Sequence, residues 1–224
     1  MCSVEISIDT TYSVQSSDNK HYNLELNPNN YRHNDYYKTF AIHIDLFNSE
    51  IDIALVGDFY CYESDCAVLD GKVLTIMQNN TISQICIDNG ALILHKEFEC
   101  CGCTFGLYRV TNGYIIYGEI EIVMLDLNFD KLWAFSGKDI FVSQTRKDVF
   151  VLGEHSIKLY DWEDNFYEID YTGKLISEQT KQWYDFFSNQ KVYCWCMKIF
   201  IELLTSKNHF YFRRQKRVVF TQRV

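Results

Sequence analysis

Between Cys66 and Thr180 the chain repeats itself three times, at a spacing that leaves room for one small sheet per copy. Anchoring on Gly90, Asp130 and Gly173 puts the copies 40 and 43 residues apart, a period that belongs to stacked blade or solenoid modules. In this register Leu74, Tyr114 and Ile157 coincide, followed by Ile76, Ile116 and Leu159. Further on, Leu92, Leu132 and Leu175 coincide, beside Ile93, Trp133 and Ile176. Apolar residues two apart share one face of a strand, so each copy is a β unit.

The copies read as strand, polar turn, strand, tight turn, strand. Gln78-Asn79-Asn80 and Asp88-Asn89-Gly90 supply the turns of the first copy, and Asp164-Asn165 and Tyr171-Thr172-Gly173 those of the third. Asn and Gly tolerate the positive φ such turns need. The middle copy has Asn128-Phe129-Asp130 instead, which predicts a turn of another type.

The run Met124-Leu125-Asp126-Leu127-Asn128-Phe129-Asp130-Lys131-Leu132-Trp133 resembles a blade of the quinoprotein-like β-propellers, whose repeats end in Leu-Asp-Leu, a turn, Gly-Lys and Trp. Ile85–Leu92 and Ile169–Ile176 resemble the same pattern, so the resemblance extends over residues 66–180. It implies blade geometry; it carries no cofactor ligand and implies no quinone chemistry. Tyr114-Ile115-Ile116-Tyr117-Gly118-Glu119 and Ile157-Lys158-Leu159-Tyr160-Asp161 are also similar to parts of small acidic bacterial proteins of uncharacterised function. That second resemblance names no activity.

Three blades do not close a ring, because propellers have at least four. The N-terminal third must supply the missing partner, or the stack stays open; extra strands packed against an open stack would make a sandwich. The expected fold is therefore mainly β: an antiparallel meander of three propeller-like repeats with N-terminal β strands, as an open propeller or a sandwich. Residues 1–180 form one all-β domain in this reading, with N-terminal strands and a hairpin over 1–57 and repeats over 66–97, 106–137 and 149–180. Residues 181–224 form a basic, aromatic C-terminal extension, with an amphipathic helix over about 190–205.

Composition supports this reading: sixteen Tyr, sixteen Phe and a single Pro favour sheet. Charge is divided unevenly. From Lys181 onward nine Lys and Arg face only Asp185 and Glu202, a net of +7, which leaves −16 on residues 1–180. An acidic body repels nucleic acid and anionic membrane. No basic-then-apolar leader opens the sequence, and Val192–Leu204, the longest apolar stretch, is cut by Lys198 and Glu202. A cytoplasmic setting without a membrane span is expected, and the nine cysteines are then free thiols.

In the N-terminal third, Val4, Ile6 and Ile8 alternate with polar residues as a first strand. A second is expected through Tyr12 and Val14, and a third through Tyr22, Leu24 and Leu26. The polar, aromatic stretch Asn27–Thr39 is the longest loop. Phe40, Ile42, Ile44 and Leu46 then pair back with Ile51, Ile53 and Leu55 as a hairpin, with His43, Asp45 and Asp52 on its other face.

Tyr31, Arg32, His33, Asp35, Tyr36 and Tyr37 combine aromatics with an Arg, the composition of interface hot spots. They are the first binding candidate, weighed against a polar loop whose tyrosines lie back on the sheet. His43, Asp45 and Asp52 form an alternative site, in which a carboxylate would orient an imidazole for ligand binding or hydrolysis; a solvated hairpin face is the plainer account. Cys100, Cys101 and Cys103, with Cys61 and Cys66, number enough for zinc but lack its usual spacing, so no metal is assigned. Glu119, Glu121, Asp161, Glu163 and Asp164 read as solvated turn residues. Arg213, Arg214, Lys216 and Arg217 follow Phe210, Tyr211 and Phe212, a combination that could hold phosphates and stack bases, although a basic end balancing an acidic body is simpler. Nucleic acid is therefore not expected except through residues 210–217.

The sequence has no Gly-x₄-Gly-Lys-Ser/Thr, His-Glu-x₂-His, Gly-x-Ser-x-Gly or dinucleotide fingerprint. No catalytic residue and no cofactor is assigned. A non-catalytic protein-interaction module of uncharacterised bacterial type, with a protein partner, is the leading expectation.

Overall fold

A computed structural model describes residues 2–46, 48–59, 65–143, 146–180 and 218–222. The expected helix over about 190–205 and the basic run 210–217 lie outside the described residues.

The strands are β1 (Cys2–Asp9), β2 (Leu24–Leu26), β3 (Lys38–Leu46), β4 (Ser49–Gly57), β5 (Ala67–Asp70), β6 (Val73–Gln78), β7 (Thr81–Cys86), β8 (Leu92–Glu97), β9 (Thr104–Val110), β10 (Gly113–Gly118), β11 (Glu121–Leu125), β12 (Lys131–Ser136), β13 (Phe150–Leu152), β14 (Ser156–Tyr160), β15 (Phe166–Asp170), β16 (Leu175–Gln179) and β17 (Val218–Gln222). They make four sheets. The N-terminal sheet has the order β17-β1-β3-β4-β2, and each of the other three is a four-stranded antiparallel meander in chain order: β5 to β8, β9 to β12, β13 to β16. The last three have the form of propeller blades.

The sheets pack through two core clusters. One joins Ile6, Phe40 and Leu55 of the N-terminal sheet to Leu74, Ile76 and Ile85 of the first blade and Tyr114, Ile116 and Val123 of the second. The other joins Ile115, Ile122 and Met124 of the second blade to Ile157, Leu159, Tyr167 and Ile169 of the third. No core cluster joins the third blade to the N-terminal sheet among the described residues, which makes the arrangement an open propeller.

The sequence explains which sheet lies where. Strands buried on both faces need unbroken apolar runs, and the middle blade has Tyr114-Ile115-Ile116-Tyr117 and Ile122-Val123-Met124-Leu125, with alternate residues facing opposite neighbours. In the third blade Ile157 and Leu159 alternate with Lys158, and Tyr167 and Ile169 with Glu168, so only one face is buried.

Several expectations change. Tyr12 and Val14 are buried but not in a strand. Asp9 Oδ1 accepts hydrogen bonds from the Thr11 and Tyr12 backbone nitrogens at 2.7 and 3.1 Å and turns the chain away from the ladder. The next strand begins at Leu24 rather than Tyr22, and it runs parallel to β4.

The turn at Phe129 differs from that at Gly90, whose nitrogen donates four residues back to the Cys86 carbonyl, but it is of the same type as the turn at Gly173. Asp126 Oδ1 accepts from the Asn128 and Asp130 nitrogens at 2.8 and 2.9 Å. Asp170 Oδ1 accepts from those of Thr172 and Lys174 at 2.8 and 3.0 Å. The fourth residue is left-handed in both, Phe129 at φ 63° and Gly173 at φ 81°. Asp161 repeats the device with Glu163 and Asn165 at 3.0 and 2.9 Å and Asp164 at φ 63°. This equivalence moves the middle copy by one residue, so that Leu132, not Trp133, matches Ile93 and Ile176. All three are the extra residue of a β-bulge in the blade's fourth strand, and all three are exposed, at 54, 56 and 57%. A bulge there twists an edge strand away from further pairing.

Candidate functional site

The loop over residues 27–37 exists because β2 pairs with the far side of β4, so the chain must cross the end of β4 to reach β3. Local side chains fix it. Asn27 bonds Tyr31 twice, its Nδ2 donating to the carbonyl at 2.8 Å and its Oδ1 accepting from the nitrogen at 2.9 Å. Asp35 Oδ2 accepts from the Arg32 nitrogen at 2.7 Å, and the Asp35 nitrogen donates to the Arg32 carbonyl at 2.9 Å. Ser13 Oγ lies 2.6 Å from His33 Nδ1, and the Val14 nitrogen donates to the Tyr37 hydroxyl at 2.9 Å. Asn29 Oδ1 lies 3.0 Å from His95 Nε2, which ties the loop to the first blade. Burial lowers the pKa of His95.

The six sequence candidates divide. Tyr31 and Tyr37 lie back over Ala54 and Val56, their rings 6.1 Å apart. Arg32, His33 and Asp35 are exposed, and Tyr36 is 71% exposed. The anchors Asn27, Ser13, Asn29 and His95 were not singled out from sequence; Asn27-Pro28-Asn29-Asn30 is a turn signal that marks the first of them.

The alternative site sits on the outer face of the N-terminal sheet. His43 pairs directly with Asp52 across β3 and β4, and Nδ1 is 2.7 Å from Oδ1. The hydrogen bond that His43 donates to the Asp52 carboxylate raises the pKa of His43 against the opposing effect of burial, and Asp52, Glu50 and Glu5 add to it through their charge. Asn23 holds Asp52 through both backbone groups, at 2.7 and 2.8 Å. Asp45 faces Glu50 instead and is exposed. The pair is thus an ion pair on an acidic sheet face.

The remaining candidates are structural. Asp161 is fully buried, not solvated, and also accepts from Asn165 Nδ2 and the Tyr167 hydroxyl at 2.9 and 2.8 Å. Glu121 is buried too and accepts from the Cys101 nitrogen at 2.7 Å. Cys66 belongs to the core. Burial, aided by Glu121, pushes the Cys100 thiol up to about 12, and burial with Glu119 raises Cys103. Cys61 lies outside the described residues, among which no set of three His, Cys, Asp or Glu converges for a metal ion.

No family model matches this chain, and none of the curated proteins matches it. Among solved structures it is similar to the Pan2 WD40 domain of Neurospora crassa, at 16% identity over 53% of this chain and 38% of that one, TM-score 0.40. It is similar to BamB from Moraxella catarrhalis, at 11% identity over 65% and 47%, TM-score 0.43. It is also similar to the dihydro-heme d1 dehydrogenase NirN, at 12% identity over 63% and 34%, TM-score 0.40. The chain therefore spans less than half the length of each.

Proposed function

We propose that this protein is a non-catalytic protein-interaction module, of bacterial type and cytoplasmic, and that it meets its partner through the 27–37 loop. The observation that carries this is a loop tied at both ends and in its middle that still presents Tyr36 at 71% exposure beside Arg32, His33 and Asp35. A rigid aromatic loses little entropy on binding, and a preformed loop avoids the cost of ordering. Five described cysteines are free thiols, which suits a reducing compartment. No helix among the described residues is long and apolar enough to cross a membrane.

Placing a photo-crosslinking amino acid at position 36, with a matched control at Lys158 on the third blade, tests the reading in cells. A discrete adduct at 36, absent at 158 and lost on overexpression of the unlabelled chain, is the expected result. Adducts of equal yield at both positions, or none at 36, overturn it. A second reading, hydrolysis or ligand binding on the outer sheet face, draws on the 2.7 Å contact between His43 and Asp52; His43→Ala abolishing an activity of the chain would favour it.

A further inference from the structure

The first strands of the three blades, β5, β9 and β13, all run to one cavity of about 950 Å³, and their last residues, Asp70, Val110 and Leu152, line it. Val68, Leu69 and Met124 complete its apolar wall. Val68 and Leu69 pack on the first core cluster, and Val110, Met124 and Leu152 belong to the second or pack on it, so the cavity sits where the two meet. The volume is that of a small-molecule site.

Arg109 is the cation of this lining, and the fold holds it in place. Its Nη1 donates to the Val110 carbonyl and, at 3.0 Å, to that of Gly113, while the guanidinium sits 5.2 Å from the centre of the Tyr114 ring. Its Nε is buried and, among the described residues, has no hydrogen-bond acceptor. Asp70 Oδ2 stands 3.6 Å away, too far for a hydrogen bond. A buried donor without an acceptor is costly, the more so on a charged group, so this atom selects a ligand that brings an acceptor. Because the donor belongs to a cation, an ionised acceptor gains roughly twice what a neutral one does. The Asp70 side chain is 66% exposed; an ion pair so open to water is weak, and a carboxylate arriving in the cavity can replace it. Glu154 is 88% exposed, and its charge is screened by salt.

We propose that this cavity binds a small carboxylate with an apolar body, the carboxylate on the Nε side of Arg109 in place of Asp70 and the body on Met124 and Leu152. Both Nη1 bonds are kept in the complex, so the guanidinium is ordered before the ligand arrives. Asp70 is then an internal competitor, standing beside the donor that the ligand's carboxylate takes and repelling it.

The test is calorimetric titration of the full chain at about pH 7.5, where a carboxylate is ionised and an amine protonated, with phenylbutyrate, phenylbutyramide and phenylbutylammonium. Phenylbutyrate saturates, and the amide and the ammonium bind at least about fivefold more weakly, the size of one charge-assisted hydrogen bond at a partly exposed site. Asp70→Asn, at an exposed position that does not endanger the fold, removes the competitor: phenylbutyrate tightens about threefold or more, and the amide is unchanged. Arg109→Lys keeps the charge without the planar fork and brings phenylbutyrate down to the affinity of the amide. Trp133 supplies a local check: its indole nitrogen donates to the carbonyl of Tyr171, which lines the cavity, at 3.1 Å, so its proton resonance moves on binding. No saturation by phenylbutyrate, equal affinity for all three probes, or an Asp70→Asn protein that binds no more tightly overturns the proposal. Binding that leaves the Trp133 resonance still overturns it too, because an anion held by the basic run Arg213–Arg217 would do that. None of the residues lining the cavity belongs to the 27–37 loop, so each of these outcomes leaves the reading of that loop standing.

Discussion

His43 shows at the scale of one residue how pH acts on this fold. Its folded pKa lies above the unfolded value, so protonation favours the folded chain. The stabilisation is complete below the unfolded pKa and is lost as pH rises through the folded one. Both side chains are more than a third exposed, which keeps the effect under about 1 kcal/mol. His43→Gln is therefore expected to lower the urea midpoint at about pH 6 and to leave it unchanged at about pH 9; an equal loss at both would mean that packing, not charge, is what the residue supplies. The pairing of His43 with Asp52 was legible in the alternation of the hairpin. The burial of Asp161 was not, because one carboxylate in a turn reads the same whether its hydrogen-bond donors are backbone groups or water. Asn165 and Tyr167 decide it, and their approach is a property of the folded turn.

At the scale of the element, the turn at Asp126 sets backbone preference against packing. A non-Gly residue in the left-handed region loses about 1–2 kcal/mol, yet Phe129 is buried, with its ring 5.0 Å from that of Tyr114. Losing such a ring from a core costs about 3–5 kcal/mol. Phe129→Gly should accordingly destabilise the protein by about 2–4 kcal/mol in urea unfolding, although it relieves the backbone; a gain in stability would show that strain outweighs burial there. This imbalance is why Phe129, and not a Gly, takes the left-handed position of the middle repeat: Gly marks such a position only where no side chain has packing to gain. Where packing and propensity agree the sequence was enough, as in the alternation of Ile157 and Leu159 that marks a strand of the third blade. The 27–37 loop was legible as a loop from its polarity and its Pro. Its rigidity was not, since Ser13, Asn29 and His95 reach it from other parts of the chain.

For the whole molecule, the placement of β17 matters most. The last described strand pairs with β1, Cys2 opposite Gln222 and Ile6 opposite Val218, and so covers the side of β1 that β3 leaves open. Removal of residues 181–224 bares that side, and bare strand edges recruit other chains. A chain ending at Thr180 is expected to self-associate with concentration in sedimentation velocity, while the full chain does not. A truncated chain that stays monomeric would show that β1 needs no cover. The repeats disclosed the blades, but nothing in their spacing disclosed this pairing, because contacts between the two ends of a sequence leave no period.

The same pairing sets a schedule. The Asp turns join residues a few positions apart and close within microseconds, so each blade can form as soon as its own residues are made. The β1 edge cannot be satisfied until Val218–Gln222 has been synthesised, and at ribosomal speed that delay is roughly 10–40 s. During that interval β1 is a nascent strand with one side open to the cell, and chaperones that hold extended apolar segments have time to engage it.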